Sequence, residues 1–235
     1  MTIYGNVGKL PLHSTRRETM LAMIHQHPKT AKILKVVKSK TANKQLPPRR
    51  VANSQMRSRE YLTAHEVEAL RKTARSIGRQ GHRDDTLILI AFRHALRVSE
   101  LIALKWEQVD LKMGLLHVTR IKNGIPSTHP LRGIELRALR QLKRNHQNSS
   151  YVFVSERNTP LTARTVRHII SRAGEQTKLG FTVHPHMLRH STGFYLANQG
   201  QDTRAIQGYM GHSNIKNTTI YTQLSPNRFK SFWSD

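Results

Sequence analysis

Residues 115–131 read Leu-Leu-His-Val-Thr-Arg-Ile-Lys-Asn-Gly-Ile-Pro-Ser-Thr-His-Pro-Leu, and this stretch decides the fold class. Two runs with the short period of extended chain, 115–119 and 125–131, flank Lys122-Asn123-Gly124. Asn-Gly between such runs signals a β-hairpin, because both residues tolerate positive φ. Lys122 then projects from the tip. Pro126 and Pro130 cannot donate to a ladder, so the second strand belongs at an edge.

On both sides of the hairpin the pattern is helical. Upstream, Thr63 and Glu66 form a capping box, and Val67, Leu70, Ala74 and Ile77 follow at helical spacing. A second helix over 84–95 is apolar on most sides and therefore central, and Ser99 is placed to cap a third running to Leu104. Downstream, helices are expected over 134–144, 163–177, 185–199 and 203–210, with a short strand at 151–154. Gly180, Gly200 and Gly211 suit helix ends, Pro185 a first helical position and Asp202 an N-cap. The expected fold is α+β: a mostly helical domain with a small antiparallel sheet.

The charge narrows the partner. The 235 residues carry 39 Lys+Arg against 14 Asp+Glu, a net charge of +25. Such a surplus repels itself unless a polyanion screens it, which argues against an ordinary metabolic enzyme and for nucleic acid or an anionic membrane. Residues 1–59 hold 13 of the basic residues and one acid, Glu18. They read as a basic arm or linker, partly disordered or with one helix near 15–37, preceding a packed domain over 60–235. The basic, acid-poor start also has the look of a transit peptide, a composition that arms of DNA-binding proteins share. There are no cysteines, no apolar run of membrane-spanning length and no signal-peptide core, so a soluble cytoplasmic protein is expected.

The chemistry-bearing residues cluster at His184-Pro185-His186-Met187-Leu188-Arg189-His190. On a helix, His186, Arg189 and His190 share a face. Zinc is a poor match, since no cysteine or carboxylate is near and an arginine occupies the same face. Gly211-His212 follows, then Tyr221 nine residues later; Tyr221 comes after the polar Asn217-Thr218-Thr219, which favours exposure. Tyr61, Tyr151, Tyr195 and Tyr209 lie in apolar patterns and read as core. Upstream stands Ala95-Leu96-Arg97-Val98-Ser99-Glu100-Leu101, an arginine just before a helix start.

This ordered set resembles the tyrosine recombinases, the phage integrase family of site-specific DNA recombinases. The resemblance rests on Arg97 in an LRVSEL segment, Lys122 on the hairpin, His186 and Arg189 in HMLRH, His212 after Gly211, and Tyr221, all within 125 residues. It leans towards the invertases that switch fimbrial expression in enteric bacteria, through THPL at 128–131, HPHMLRHS at 184–191 and Arg228-Phe229 with Trp233 near the end. It covers about residues 60–233.

The resemblance implies that Tyr221 attacks a phosphodiester and forms a 3′-phosphotyrosyl link with a free 5′-hydroxyl. Arg97 and Arg189 neutralise the non-bridging oxygens with forked geometry. His186 assists as general base, His212 bonds the scissile phosphate, and Lys122 protonates the leaving oxygen, with Lys105 and Lys112 as the competing lysines. Glu100 orients an Arg or a His, and His190 supports. No metal or cofactor is implied. The implied partner is double-stranded DNA with inverted-repeat sites, bound by a homotetramer that is a monomer or weak oligomer when free, with room for accessory DNA-bending proteins and a place at the nucleoid. The 14 residues after Tyr221 carry Phe229, Phe232 and Trp233, an apolar face for a neighbouring protomer or for the same domain. A type IB topoisomerase-like nicking-closing enzyme and a non-catalytic DNA-binding protein are the rival readings.

Overall fold

In a computed structural model, residues 59–121 and 123–223 are described. The basic arm, Lys122 and the aromatic tail lie outside them, and so does the helix expected near 15–37. Helix α1 (Ala64–Ser76) starts as expected: the Thr63 side chain accepts from Glu66 N, and Glu66 Oε2 accepts from Thr63 N at 2.8 Å. Helix α2 (Gly81–Arg93) is buried along most of its length, with Leu87, Ile88 and Ile90 at 0% exposure. It packs against α1 and three later helices and forms the axis of the core. It begins three residues before the expected start, at Gly81, where a Cβ would lie 1.9 Å from the Arg75 carbonyl at the end of α1. It also stops short of residue 95, because Ala95 adopts φ 51° and turns the chain.

Helix α3 (Val98–Ile102) has Arg97, not Ser99, at its N-cap. Glu100 at the third helical position reaches back to the Arg97 N–H, so it fills the capping role assigned to Ser99. A 3₁₀ turn (Trp106–Gln108) leads to β1 (Val109–Asp110), β2 (Leu115–Val118) and β3 (Ser127–Pro130). The sheet is antiparallel in the order β1-β2-β3, which puts the proline-bearing strand at an edge as expected. The turn is wider than Asn-Gly predicts. Pairing stops at Val118–Ser127, and of the Asn123-Gly124 pair Asn123 alone takes positive φ. Gly124 is required for a different reason: a Cβ there would sit 2.7 Å from Arg120 Cβ and 2.9 Å from the Gly211 carbonyl.

The remaining helices are α4 (Gly133–Asn145), α5 (Ala163–Gln176), α6 (Pro185–Asn198), α7 (Thr203–Met210) and α8 (Lys216–Gln223). Asp202 caps α7, Pro185 opens α6, and Gly180, Gly200 and Gly211 all have positive φ. The strand expected at 151–154 is instead two isolated bridges, Lys105–Tyr151 and Val154–Pro160. Its two ends face different partners, so no ladder extends along it, yet Val152, Phe153 and Val154 are fully buried. Neither β1 nor α8 was expected; each is short and polar enough to lack a periodic signal. Most of the apolar core surrounds α2. A second cluster of Ala95, Phe194, Ala197, Ile206, Met210 and Tyr221 lies under α8.

Candidate active site

The first turns of α6 present His186, Arg189 and His190. The shared face holds for the histidines, whose rings meet edge to face at 4.5 Å. Arg189 turns inward and is 2% exposed. Its Nη2 donates to the Met210 carbonyl at 2.7 Å and its Nη1 to the Ala95 carbonyl. Desolvation, followed by the charges of Arg97 and Arg120, lowers it to about 10, so it remains a cation at neutral pH.

Arg97, at the N-cap of α3, donates through Nη1 to Glu100 Oε1 at 2.7 Å and keeps part of its side chain in solvent. Glu100 is buried. Burial works to raise its pKa, but the bonds and charges of Arg97 and Arg120 prevail and hold it below the usual carboxylate range. Glu100, expected to orient an Arg or a His, is in direct contact with Arg97.

Tyr221 departs from expectation. It is a buried member of α8 at 2% exposure, because the polar Asn217-Thr218-Thr219 stretch forms a helix whose inner face carries Thr218 and Tyr221. Its ring lies on Gly193, where a Cβ would come within 2.6 Å, and edge-on to Phe194 at 5.3 Å. Burial pushes its phenol up to about 12, with Arg189 and Arg97 pulling the other way. Its hydroxyl is 2.9 Å from His190 Nδ1. The histidine touching the phenol is thus His190, half-buried, while the exposed His186 stands behind it.

His212 follows the left-handed Gly211 and lies with its ring 6.4 Å from that of Tyr221, nearly parallel. Its Nδ1 is 2.8 Å from Thr218 Oγ1, a contact between α8 and the α7 terminus. Desolvation first, then Arg189, Arg97, Arg120 and His190, lowers His212 to about 4; desolvation first, then His190, Arg189, His184 and Arg97, lowers His186 to about 4. Both rings are neutral at pH 7. Five of the six residues expected to be catalytic (Arg97, His186, Arg189, His212 and Tyr221) therefore share one neighbourhood, joined by Glu100 and His190. Lys122 lies outside the described residues, but its neighbour Ile121 donates its N–H to Glu100 Oε1 at 3.3 Å.

Some participants were not singled out from the sequence. Arg120 is buried against Glu100, and Thr218 holds His212. The Ala95 carbonyl is exposed to the arginines by a left-handed backbone unusual for alanine, at an expected cost of roughly 1–2 kcal/mol. Only Arg120 had a local signal, through its place before Ile121-Lys122. Of the tyrosines assigned to the core, Tyr195 is 43% exposed, since it sits on the outer face of α6. Among the described residues no group of three or more His, Cys, Asp or Glu is arranged to hold a metal ion, and no helix is long and apolar enough to cross a membrane.

The sequence profile of the phage integrase family matches residues 60–228. The chain is similar to the type 1 fimbriae regulatory protein FimB of Escherichia coli K12, 41% identical over 182 residues that span 75% of this chain and 90% of FimB. It is also similar to the tyrosine recombinase XerC of Pseudomonas savastanoi pv. phaseolicola, 40% identical over 151 residues, 61% of this chain and 48% of XerC. The crystal structure of XerA recombinase superposes with a TM-score of 0.64 at 26% identity, covering 73% of this chain and 63% of that one. The chain spans about half of XerC and less than two thirds of the XerA structure, and its first 59 residues lie outside the family match.

Proposed function

The chain belongs to the phage integrase family, and from that premise we propose how it works: as a site-specific DNA recombinase that breaks and rejoins strands through a phosphotyrosyl intermediate on Tyr221. The single observation that carries this reading is the convergence of Arg97, Arg189, His212 and the His190-bonded Tyr221 hydroxyl.

A phosphodiester resists nucleophiles because its anionic oxygens repel them. Arg97 and Arg189 offset that charge, and more strongly in the pentacoordinate transition state, where charge accumulates. Tyr221 Oη forms the bond to phosphorus, its proton passing to a neutral histidine. His190 is in contact with it, with His186 beside that ring. The bond to the 5′-oxygen breaks, and Lys122 supplies the proton that leaves with it. The covalent link conserves the phosphodiester energy, so rejoining reverses the steps without ATP. His212 donates to the phosphate, which a neutral ring held at Nδ1 by Thr218 can do. Because the phenol is buried, DNA binding has to uncover it, and α8 is the element that moves.

The partner is double-stranded DNA bearing inverted repeats, engaged by a tetramer. The resemblance of residues 128–131 and 184–191 to the fimbrial invertases supports inversion over excision or integration. Residues 60–235 form the catalytic domain, and the basic segment 1–59 adds phosphate contacts; deleting it would flatten the salt dependence of DNA affinity by several units of slope. Action at the nucleoid follows from this role.

The deciding experiment incubates the protein with genomic DNA of its source, denatures it, and sequences the covalently held fragments. Adducts at inverted repeats with wild type and none with Tyr221→Phe are expected. Adducts that survive Tyr221→Phe would move the nucleophile elsewhere. Plasmid relaxation without sequence preference would make it a nicking-closing enzyme, and DNA binding with no adduct on any substrate a binding module.

A further inference from the structure

Arg120 follows β2 at the base of the hairpin, two residues before Lys122, and its side chain is 0% exposed in its pair with Glu100. We propose that Arg120 is a positioning residue for strand cleavage: it fixes the Arg97 and Arg189 forks by gripping the same acceptors on which they rest. The proposal builds on the recombinase reading and assigns a further residue to it.

The geometry is one of shared acceptors. Arg120 Nη1 donates to the Ala95 carbonyl at 3.2 Å, the same oxygen that accepts from Arg189 Nη1. Arg120 Nη2 donates to the Tyr209 carbonyl at 2.7 Å, one residue before the Met210 carbonyl that accepts from Arg189 Nη2. Arg120 Nη1 also donates to Glu100 Oε2 at 3.0 Å, while Glu100 accepts from Arg97 through its backbone N and Nη1. Every acceptor that orients Arg97 or Arg189 is therefore either held by Arg120 or one residue from an atom that is.

The surroundings have been cleared for this side chain. A Cβ on Gly211 would lie 2.7 Å from Arg120 Cγ and Nε, and one on Gly124 would lie 2.7 Å from Arg120 Cβ. The guanidinium thus passes under the turn that presents His212. Both legs of the hairpin tip are tied to the same place, Ile121 N to Glu100 and Ile125 N to the Gly211 carbonyl.

Stability alone does not call for this arrangement. Arg120 is buried beside two other guanidiniums with one carboxylate among them, and its Nε is buried with no hydrogen-bond partner. Buried ion pairs are often replaceable by apolar side chains of similar size without loss of stability. With the His94 carbonyl, which accepts from Nη2 at 3.2 Å, the acceptors number four, and a planar cation with two forked nitrogens is the group able to hold them at once, which neither lysine nor methionine can do. Misplacing a reacting group by about 1 Å can cost about 10²-fold in rate.

The test compares Arg120→Met and Arg120→Lys with wild type and with Arg97→Ala. Each variant is first checked for a cooperative melt. Adduct formation is then timed on two versions of the mapped duplex, one with the natural diester and one with a neutral methylphosphonate at the scissile position. The forks act on the non-bridging charge, so loss of fork position should matter less when that charge is gone. The expected result is a loss of about 10²-fold on the diester for Arg120→Met, shrinking about tenfold or more on the methylphosphonate, in parallel with Arg97→Ala. Arg120→Lys should show the same pattern at smaller amplitude, and it serves alone if Arg120→Met does not fold. Wild-type rates on the diester, or an equal loss on both substrates, would overturn the proposal. Absence of adduct with wild type would instead overturn the recombinase reading beneath it.

Discussion

The pattern Arg-x-x-Glu opens two helices in this chain, Arg97–Glu100 at α3 and Arg132–Glu135 at α4, and locally the two are twins. In each, the N-cap arginine donates its backbone N–H to the glutamate three residues on, at 2.9 Å. Both glutamates are buried at the C-terminal end of α2, and His94 joins the two networks: its ring bonds Glu135 and its carbonyl accepts from Arg120. Beyond that, the networks diverge. Glu135 meets one guanidinium, Arg93, and the ring of His94, whose other nitrogen meets His129, with burial the main force pushing His129 down to about 3. That network has its charge balanced. Glu100 is the carboxylate set among Arg97, Arg120 and Arg189, which leaves buried positive charge unmatched by protein. A balanced buried network has finished its electrostatic work on folding, whereas one with surplus cations has a place for an anion.

The largest effect should separate nucleophile from scaffold. Tyr221→Phe should abolish covalent adduct while a gel-shift assay shows DNA affinity nearly unchanged; adduct at wild-type level would break the assignment. Next in size, Arg97→Lys and Arg189→Lys should each slow cleavage by about 10²–10³-fold in single-turnover assays, because a point charge does not reproduce the fork. Equivalent changes at Arg93 should leave cleavage within a few-fold.

The two glutamates provide the direct contrast. Glu135→Gln and Glu100→Gln should each lower stability by about 3 kcal/mol in urea titrations, since each strands buried partners. Only Glu100→Gln should also slow cleavage by the folded fraction. Equal cleavage losses at both positions would remove the distinction between the networks.

A smaller effect concerns pH. His129, His186 and His212 fall well below the ordinary histidine value in the folded state. Between about pH 6.5 and 4 the unfolded chain therefore binds more protons, and stability falls as pH falls through that window. Melting curves should show this decline, and His129→Phe should flatten it. The smallest effect should come from simple oxyanions. Sulfate should raise the melting temperature of wild type by a few degrees beyond its general salting effect, and the increment should vanish in Arg97→Ala but persist in Arg93→Ala.

Much of this was legible in residue order because it depends on local physics. The capping box at Thr63, the N1 proline at Pro185, the Asp202 cap and the left-handed glycines all act within a few residues, so their positions transfer directly from sequence to structure. The ordered residues Arg97, His186, Arg189, His212 and Tyr221 were readable as a family pattern. Errors arose where a local preference met a long-range contact. Ser99 lost the cap to Glu100, whose carboxylate is also held from Arg120, twenty residues away. Asn123-Gly124 did not make a two-residue turn, since Gly124 is needed against Arg120 and Gly211.

By itself the sequence determined the helical framework with its edge hairpin, the excess of positive charge, and the ordered set of residues from which the proposed chemistry is read. Tertiary structure alone decided that Tyr221 is stored against Gly193 with its hydroxyl on His190. It also decided that Arg120 shares the acceptors of Arg97 and Arg189, and that of two identical Arg-x-x-Glu starts only one is left with cations to spare. The physical reason is distance along the chain: caps and periodicity are settled by neighbours within a turn, whereas burial and charge balance are set by residues 20 to 94 positions apart that meet only when the core closes.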